Sequence, residues 1–350
     1  MSAGKEWWRP EVFASRRATL EKRMAVIAAV RAFFATRGFS EVETPCLQVS
    51  PGLEPHLRAF RTHFDDPWGG PGTPLTLHTS PEFTMKKLLV AGMERIYQVA
   101  RVFRNAERSD THHPEFTMLE WYRAGAGIEH LMDDTEALVR DCATAAGATH
   151  LVHGGRIADP FRPWRRLSVA EAFFDYCDMD VLATAPDPWR PDERLIKREA
   201  ARLGISVSES DRWDDVFFKI MMDRIEPHLG FGVPTILHSY PVSMAALARP
   251  SPADPRVAER FEAYGCGVEL ANAFGELTDP AEQRRRFEAD MDLKEALYGE
   301  RYPVDEDFLN ALQAGMPDSA GIALGLDRLV MLLTQAERID DVLWAPVAPT

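Results

Sequence analysis

The sequence predicts an α+β fold, a mostly antiparallel sheet flanked by helices, on three observations. Short β-prone runs lie close enough together for several hairpin connections, with helical stretches interspersed rather than alternating strand for helix. The 350 residues are 45% hydrophobic, enough to bury a sizeable core. No G-x-G-x-x-G follows an early strand and no P-loop occurs, so the common nucleotide-binding folds lack support.

The elements follow in order. Residues 1–15 form a short polar-aromatic arm. From Arg16 to Arg37 the apolar Leu20, Met24, Ile27, Val30 and Phe34 recur every three or four residues, which predicts an amphipathic helix stopped by Gly38. Phe39–Leu47 is strand-like, and Pro45 confines it to an edge or an interface. A Gly/Pro-rich loop spans 66–74, followed by a strand at Leu75–Thr79 and a helix at Pro81–Val90 with proline near its first turn. Val99–Phe103 and Phe116–Tyr122 predict two strands joined by a loop that carries Arg104, Glu107, Arg108, His112 and His113. Such a hairpin can offer guanidinium and imidazole groups to a phosphate chain.

Ile128–Ala146 reads as helix and 147–166 as a connecting loop. Ser168–Tyr176, Pro191–Leu203 and Asp214–Pro227 predict further helices, and Thr235–Tyr240 a buried strand. Val257–Leu270 alternates apolar and acidic groups as one strand, or a bulged pair, would. Charged helices cover 280–298 and 305–315, then a strand at Gly321–Gly325 and a helix at Leu326–Ala336.

A net charge of −14 argues against broad capture of nucleic acid. Cys46, Cys142, Cys177 and Cys266 lack C-x-x-C spacing, so neither a zinc site nor a disulfide framework is indicated. The start has no apolar signal core, and no apolar run approaches the roughly 18 residues of a membrane span. A cytoplasmic protein with no membrane partner is expected.

Three stretches carry candidate chemistry. Between Arg260 and Glu276, several carboxylates on a rigid strand suit Mg²⁺ shared with phosphate oxygens, although a solvated acidic strand has the same pattern. In Gly321–Leu333, Arg328 falls in the first turn of a helix, against the dipole preference, and a bound polyphosphate would resolve that conflict. In Thr79-Ser80-Pro81-Glu82-Phe83, a carboxylate beside a turn either receives a substrate amino group or caps the helix.

On these residues the chain resembles the catalytic domain of a class II aminoacyl-tRNA synthetase of the lysyl type. Residues 16–45 resemble motif 1, 99–122 motif 2 and 321–333 motif 3, within one domain over 16–350 that has a helical insertion at about 147–232. The segments His113–Tyr122 and Glu269–Thr278 are more specific than a generic class II signature. With only residues 1–15 ahead of motif 1 there is no room for an anticodon-binding domain, so the chain further resembles the elongation factor P β-lysine ligases. Ala323 stands where lysyl-tRNA synthetases usually have glycine.

The resemblance implies ATP and Mg²⁺ as cofactors and a two-step reaction. The carboxylate of (R)-β-lysine, or lysine, attacks the α-phosphate of ATP, and a lysine ε-amino group of elongation factor P then takes the acyl group. Arg104 would bridge the substrate carboxylate and the α-phosphate, and Arg328 would face Phe116 across the adenine. Asn105, Glu107, His112, His113, Glu269, Leu270 and Gly325 complete the implied ATP site, with His112 at the phosphates and His113 at the adenine edge. Glu262 and Glu269 would hold Mg²⁺. Glu82, Tyr122 and Glu276 would receive the side-chain ammonium, with Ser80, Pro81, Asn272, Phe274 and Ala323 shaping the pocket.

One departure concerns motif 2. The family has a glutamate where this chain has Ala106, and Glu107 is displaced by one residue. A homodimer through motif 1 is implied, and tRNA is disfavoured as the acceptor. Two other readings remain at this stage: a different free-standing relative, truncated synthetase-like or amidating, and a catalytically silent regulatory paralogue.

Overall fold

The structure, a computed structural model, describes residues 6–347. The chain opens with α1 (Pro10–Thr36), β1 (Ser40–Glu41), β2 (Leu47–Gln48), β3 (Arg61–Phe64), β4 (Thr73–Leu77) and α2 (Glu82–Val90). A long hairpin follows, β5 (Arg95–Phe103) and β6 (Glu115–Ala124), and then α3 (Ile128–Ala145). The next segment holds β7 (Leu151–His153), β8 (Arg156–Ala158), β9 (Arg165–Ser168), α4 (Val169–Cys177), α5 (Glu193–Arg202) and α6 (Trp213–Ile220). The last third is β10 (Thr235–His238), β11 (Arg260–Gly265), β12 (Val268–Gly275), α7 (Pro280–Tyr298), α8 (Glu306–Gly315), β13 (Ser319–Gly325) and α9 (Leu326–Thr334).

Eight strands form one sheet in the order β1-β5-β6-β13-β12-β11-β10-β9. Only the outer pairs, β1 with β5 and β9 with β10, are parallel. This is the predicted α+β architecture. Its central strands are buried on both faces, but the two faces differ in kind. On β6 the alternation sends Leu119 and Trp121 into a core with Val30 and Phe34 of α1, Leu138 of α3 and Leu329 of α9. Each such side chain contributes about 1.5–3 kcal/mol on burial. The opposite face carries Phe116, Met118, Glu120 and Tyr122, flanked by an apolar cluster of α2, α7 and α8. Glu120 and Tyr122 therefore share one face because the strand period is two, while Thr117 and Arg123 lie on the other.

A buried ion pair fastens the three motif segments together. Arg23 of α1 lies 2.5 Å from Asp327 at the start of α9, and both are almost fully buried. Arg23 also donates to Thr117 Oγ1 of β6 at 2.9 Å, and Asp327 accepts from the Thr117 N–H at 2.7 Å. This pairing explains a rotation of α1 relative to expectation. Arg23, Val26, Val30 and Phe33 face inward, whereas Met24 is 50% exposed.

Other boundaries differ from the sequence reading. Helix α1 begins at Pro10, inside the expected arm. Val257–Leu270 is two strands, because Cys266 and Gly267 both take positive φ and close a tight hairpin. The alternation continues across that turn, so the pattern hides it. The 147–166 segment is more than a loop: β7 and β8 pair as a hairpin, and β9 starts at Arg165 and joins the sheet edge. Strand β3 is exposed along its whole length and so has no hydrophobic signature. Within 147–232, helices α4–α6 pack on their own core, with the Phe173 and Phe217 rings 5.0 Å apart.

Candidate active site

A cleft of about 300 Å³ opens on the polar face of the sheet, over β6, β11, β12 and β13. The 104–114 loop walls one side, and the start of α9 closes the end.

At the loop side, the Arg104 guanidinium sits 5.3 Å from the Phe116 ring. Its Nε is buried without a partner, and the side chain makes no hydrogen bond or ion pair among the described residues. A cation left unpaired in a cleft is a ready anion receptor. Arg328, by contrast, is bound from three sides: it donates to the carbonyls of Glu269 (3.0 Å) and Thr111 (3.2 Å) and to His112 Nε2 (2.6 Å). It therefore ties the loop to β12. Arg328, which the resemblance puts across the adenine from Phe116, lines the same cleft as that ring.

The two histidines depart from their expected roles. Burial, with Arg328 and Arg104 adding repulsion, pulls His112 down to about 4, so it is neutral and accepts from Arg328. The ring of His113 is buried, with Nδ1 2.6 Å from the Glu115 carbonyl and Nε2 accepting from the Val347 N–H at 3.1 Å. It anchors the loop to the C-terminal segment and has no ring nitrogen free for a base edge. Asn105 is exposed and does not line the cleft; its side chain accepts from the Ala106 N–H. Ala106 has φ of 66°, and beyond that left-handed turn Glu107 lines the cleft. The chain thus bends so that the displaced glutamate faces inward.

Glu262 and Glu269 stand on the β11–β12 hairpin. Glu262 accepts from Tyr240 and Tyr264, both at 2.6 Å on Oε2, and from Arg260 at 2.6 Å on Oε1. That leaves one lone pair on Oε1. Glu269 is partly exposed in the cleft, and burial together with the nearby Glu262 raises its pKa. One open carboxylate and one free lone pair fit a Mg²⁺ that takes its remaining ligands from phosphates and water. Among the described residues no group of three His, Cys, Asp or Glu side chains is placed to hold a metal ion. Leu270, Asn272, Phe274, Ala323 and Gly325 also line the cleft.

Below the cleft floor lies a buried layer of charge. The Lys86 ammonium sits 2.5 Å from both Glu82 and Glu276. Burial pulls Lys86 down, but Glu276 and Glu82 outweigh it, so its pKa is raised. Burial pushes Glu276 up as well, against the Lys86 ammonium 2.5 Å away, with which it forms an ion pair. Glu276 is thus no open receptor for an incoming ammonium, a correction to the sequence reading. Beside this triad, Glu120 accepts from Ser80 Oγ at 2.5 Å and Tyr122 Oη at 3.0 Å. Burial and the Glu82 charge push Glu120 up to about 8, against the Ser80 and Tyr122 hydrogen bonds and Lys86, which favours its protonated form below that pH. Pro81 is buried at the N-cap of α2, away from the cleft.

Gly321 makes this layer possible. A Cβ there would fall 2.1 Å from Tyr122 Cε1 and 2.4 Å from Glu276 Oε1. Sequence reasoning missed Glu120 and Lys86. Both were within reach: Glu120 shares the strand face of Tyr122, and Lys86 follows Glu82 by one helical turn.

Residues 11–348 match the family model described as tRNA synthetases class II (D, K and N). The chain is 40% identical over 342 residues to a protein of Proteus mirabilis named elongation factor P–(R)-β-lysine ligase, with 97% of each chain covered. Proteins of the same name in Edwardsiella ictaluri and Salmonella arizonae are 41% and 40% identical, over 93% and 96% of this chain and 94% and 96% of theirs.

Proposed function

From the premise that the chain belongs to the class II tRNA synthetase family of the D, K and N type, and is a ligase of that family, we propose the following reaction. The enzyme activates (R)-β-lysine with ATP as an aminoacyl-adenylate and transfers it to a lysine ε-amino group of elongation factor P. The observation that carries this reading is an unpaired Arg104 lining the cleft and, beneath the cleft floor, a buried acid and phenol, Glu120 and Tyr122, with Glu120 accepting from the cleft-lining Ser80. One end suits a carboxylate and phosphate, and the other suits an ammonium.

Arg104 orients the substrate carboxylate and neutralises charge at the attacked phosphate, so no general base is needed in the first step. Arg328, held by Glu269, Thr111 and His112, keeps the loop closed over the nucleotide. Glu107 takes the base-reading place left by Ala106. Glu262 and Glu269 hold Mg²⁺, which supplies charge neutralisation on the phosphates when bound. The substrate's terminal ammonium draws the proton off Glu120 and pairs with it. A homodimer through the α1 segment completes the reading; light scattering tests that part.

ATP–pyrophosphate exchange dependent on (R)-β-lysine, together with a mass shift on co-expressed elongation factor P, tests the function. Arg104→Ala should abolish exchange. Charging of tRNA in preference to modification of the factor would overturn the proposal.

A further inference from the structure

A side pocket of about 30 Å³ lies behind the cleft, between the 48–54 loop, the start of α2 and helix α7. Glu54, Ser80 and Glu82 line both spaces, so the pocket joins the cleft at these three residues. The volume holds about one water-sized polar group.

The polar walls of this pocket are uncommitted. Ser50 Oγ lines it, buried and without a hydrogen-bond partner. The Glu54 carboxylate makes no hydrogen bond or ion pair among the described residues, unlike Glu82 (paired with Lys86), Glu262 (held by three donors) and Asp327 (paired with Arg23). Glu54 is exposed and lines both spaces; desolvation raises its pKa, Arg104 and Arg260 oppose that rise, and Glu82 and Glu107 add to it. Asp290 on α7 also lines the pocket and is pushed up to about 7 by burial and by Glu54, against Arg212 and Arg286 and with Asp214. A carboxylate free of protein partners and a buried, unpartnered hydroxyl around a space of this size can accept from a small cation with N–H donors.

We propose that this pocket is the subsite for the second ammonium of a diamino acid substrate, with Glu54 as its carboxylate and Ser50 Oγ as a further acceptor. The inference deepens the function proposed above and rests on it. A 3,6-diamino acid carries one ammonium at the chain end and another close to its carboxylate. The terminal group reaches Glu120 and Tyr122, the carboxylate reaches Arg104, and Glu54 meets the ammonium between them. Lys86 lies 2.5 Å from both Glu82 and Glu276, so those two carboxylates are already engaged, whereas Glu54 is not.

The test is a cycle of two substrates and two proteins: (R)-β-lysine and 6-aminohexanoate, which lacks the second ammonium, with the parent and Glu54→Gln. In pyrophosphate exchange, kcat/KM for (R)-β-lysine should fall about 10- to 100-fold in Glu54→Gln, the size of one charge-assisted hydrogen bond. The value for 6-aminohexanoate should stay within about twofold. Ser50→Ala should lower only the diamino acid's value, by less. Equal losses for both substrates, no loss for either, or normal exchange with slowed transfer to the acceptor protein each overturn the subsite. Calorimetric binding in the same cycle needs no turnover. A parent that binds the diamino acid through Glu54 yet exchanges no pyrophosphate refutes activation and keeps the subsite, whereas unchanged binding in Glu54→Gln overturns the subsite alone.

Discussion

Gly321→Ala adds one methyl group at the centre of the buried charge layer. Gly321 pairs with Tyr122 across the β6–β13 ladder and with Phe274 across the β12–β13 ladder. The new Cβ would lie 2.1 Å from Tyr122 Cε1 and 2.4 Å from its Cδ1. Carbon atoms pack at roughly 3.5 Å, so the ring must withdraw by roughly 1.4 Å. Overpacking of this kind costs about 1–3 kcal/mol. Withdrawal also breaks the 3.0 Å bond from Tyr122 to Glu120, adding about 0.5–1.5 kcal/mol. The expected loss is therefore about 2–4 kcal/mol in urea unfolding. Displacing a recognition group by more than an ångström costs about 100-fold in the step it orients. In pyrophosphate exchange that loss should appear in the KM for the amino acid, with the KM for ATP unchanged. A parent-like KM for the amino acid, or equal rises in both constants, would refute the reasoning.

Four further outcomes follow from the buried charges. Lys86→Met strands Glu82 and Glu276 and should destabilise the fold by about 3–5 kcal/mol at pH 8. The stranded carboxylates gain raised pKa values, so the folded state binds more protons and the deficit shrinks toward pH 5; an equal deficit at both values in urea melts would contradict this. Glu120, at about 8 when folded against an ordinary 4.5, makes stability fall as pH rises from about 4.5 through about 8, and Glu120→Gln should remove that slope. Binding the diamino acid at pH 7 should then release close to one proton, read by calorimetry in buffers of different ionisation heat; no buffer dependence would count against Glu120 as the receptor. Arg23→Met leaves Asp327 buried and unpaired and should cost about 3–5 kcal/mol, against less than about 1 kcal/mol if the pair were peripheral.

Local periodicity and motif spacing made much of this protein legible. The β5–β6 hairpin, the helices at Ile128–Ala145 and Pro280–Tyr298, and the β13–α9 unit all appear where alternation and caps place them, because those signals lie within a few residues. The carboxylates of the β11–β12 region and the cationic loop were visible for the same reason. Charge pairing was not visible, since it depends on which faces meet. Met24 looked inward on period alone, but Asp327, distant in sequence, turns the helix toward Arg23. Likewise Glu276 reads as a free acid until α2 brings Lys86 against it. The chemistry of the cleft was thus written in residue types, while tertiary structure decided which charges cancel and which remain free, because desolvation and Coulomb terms depend on neighbours that only folding supplies.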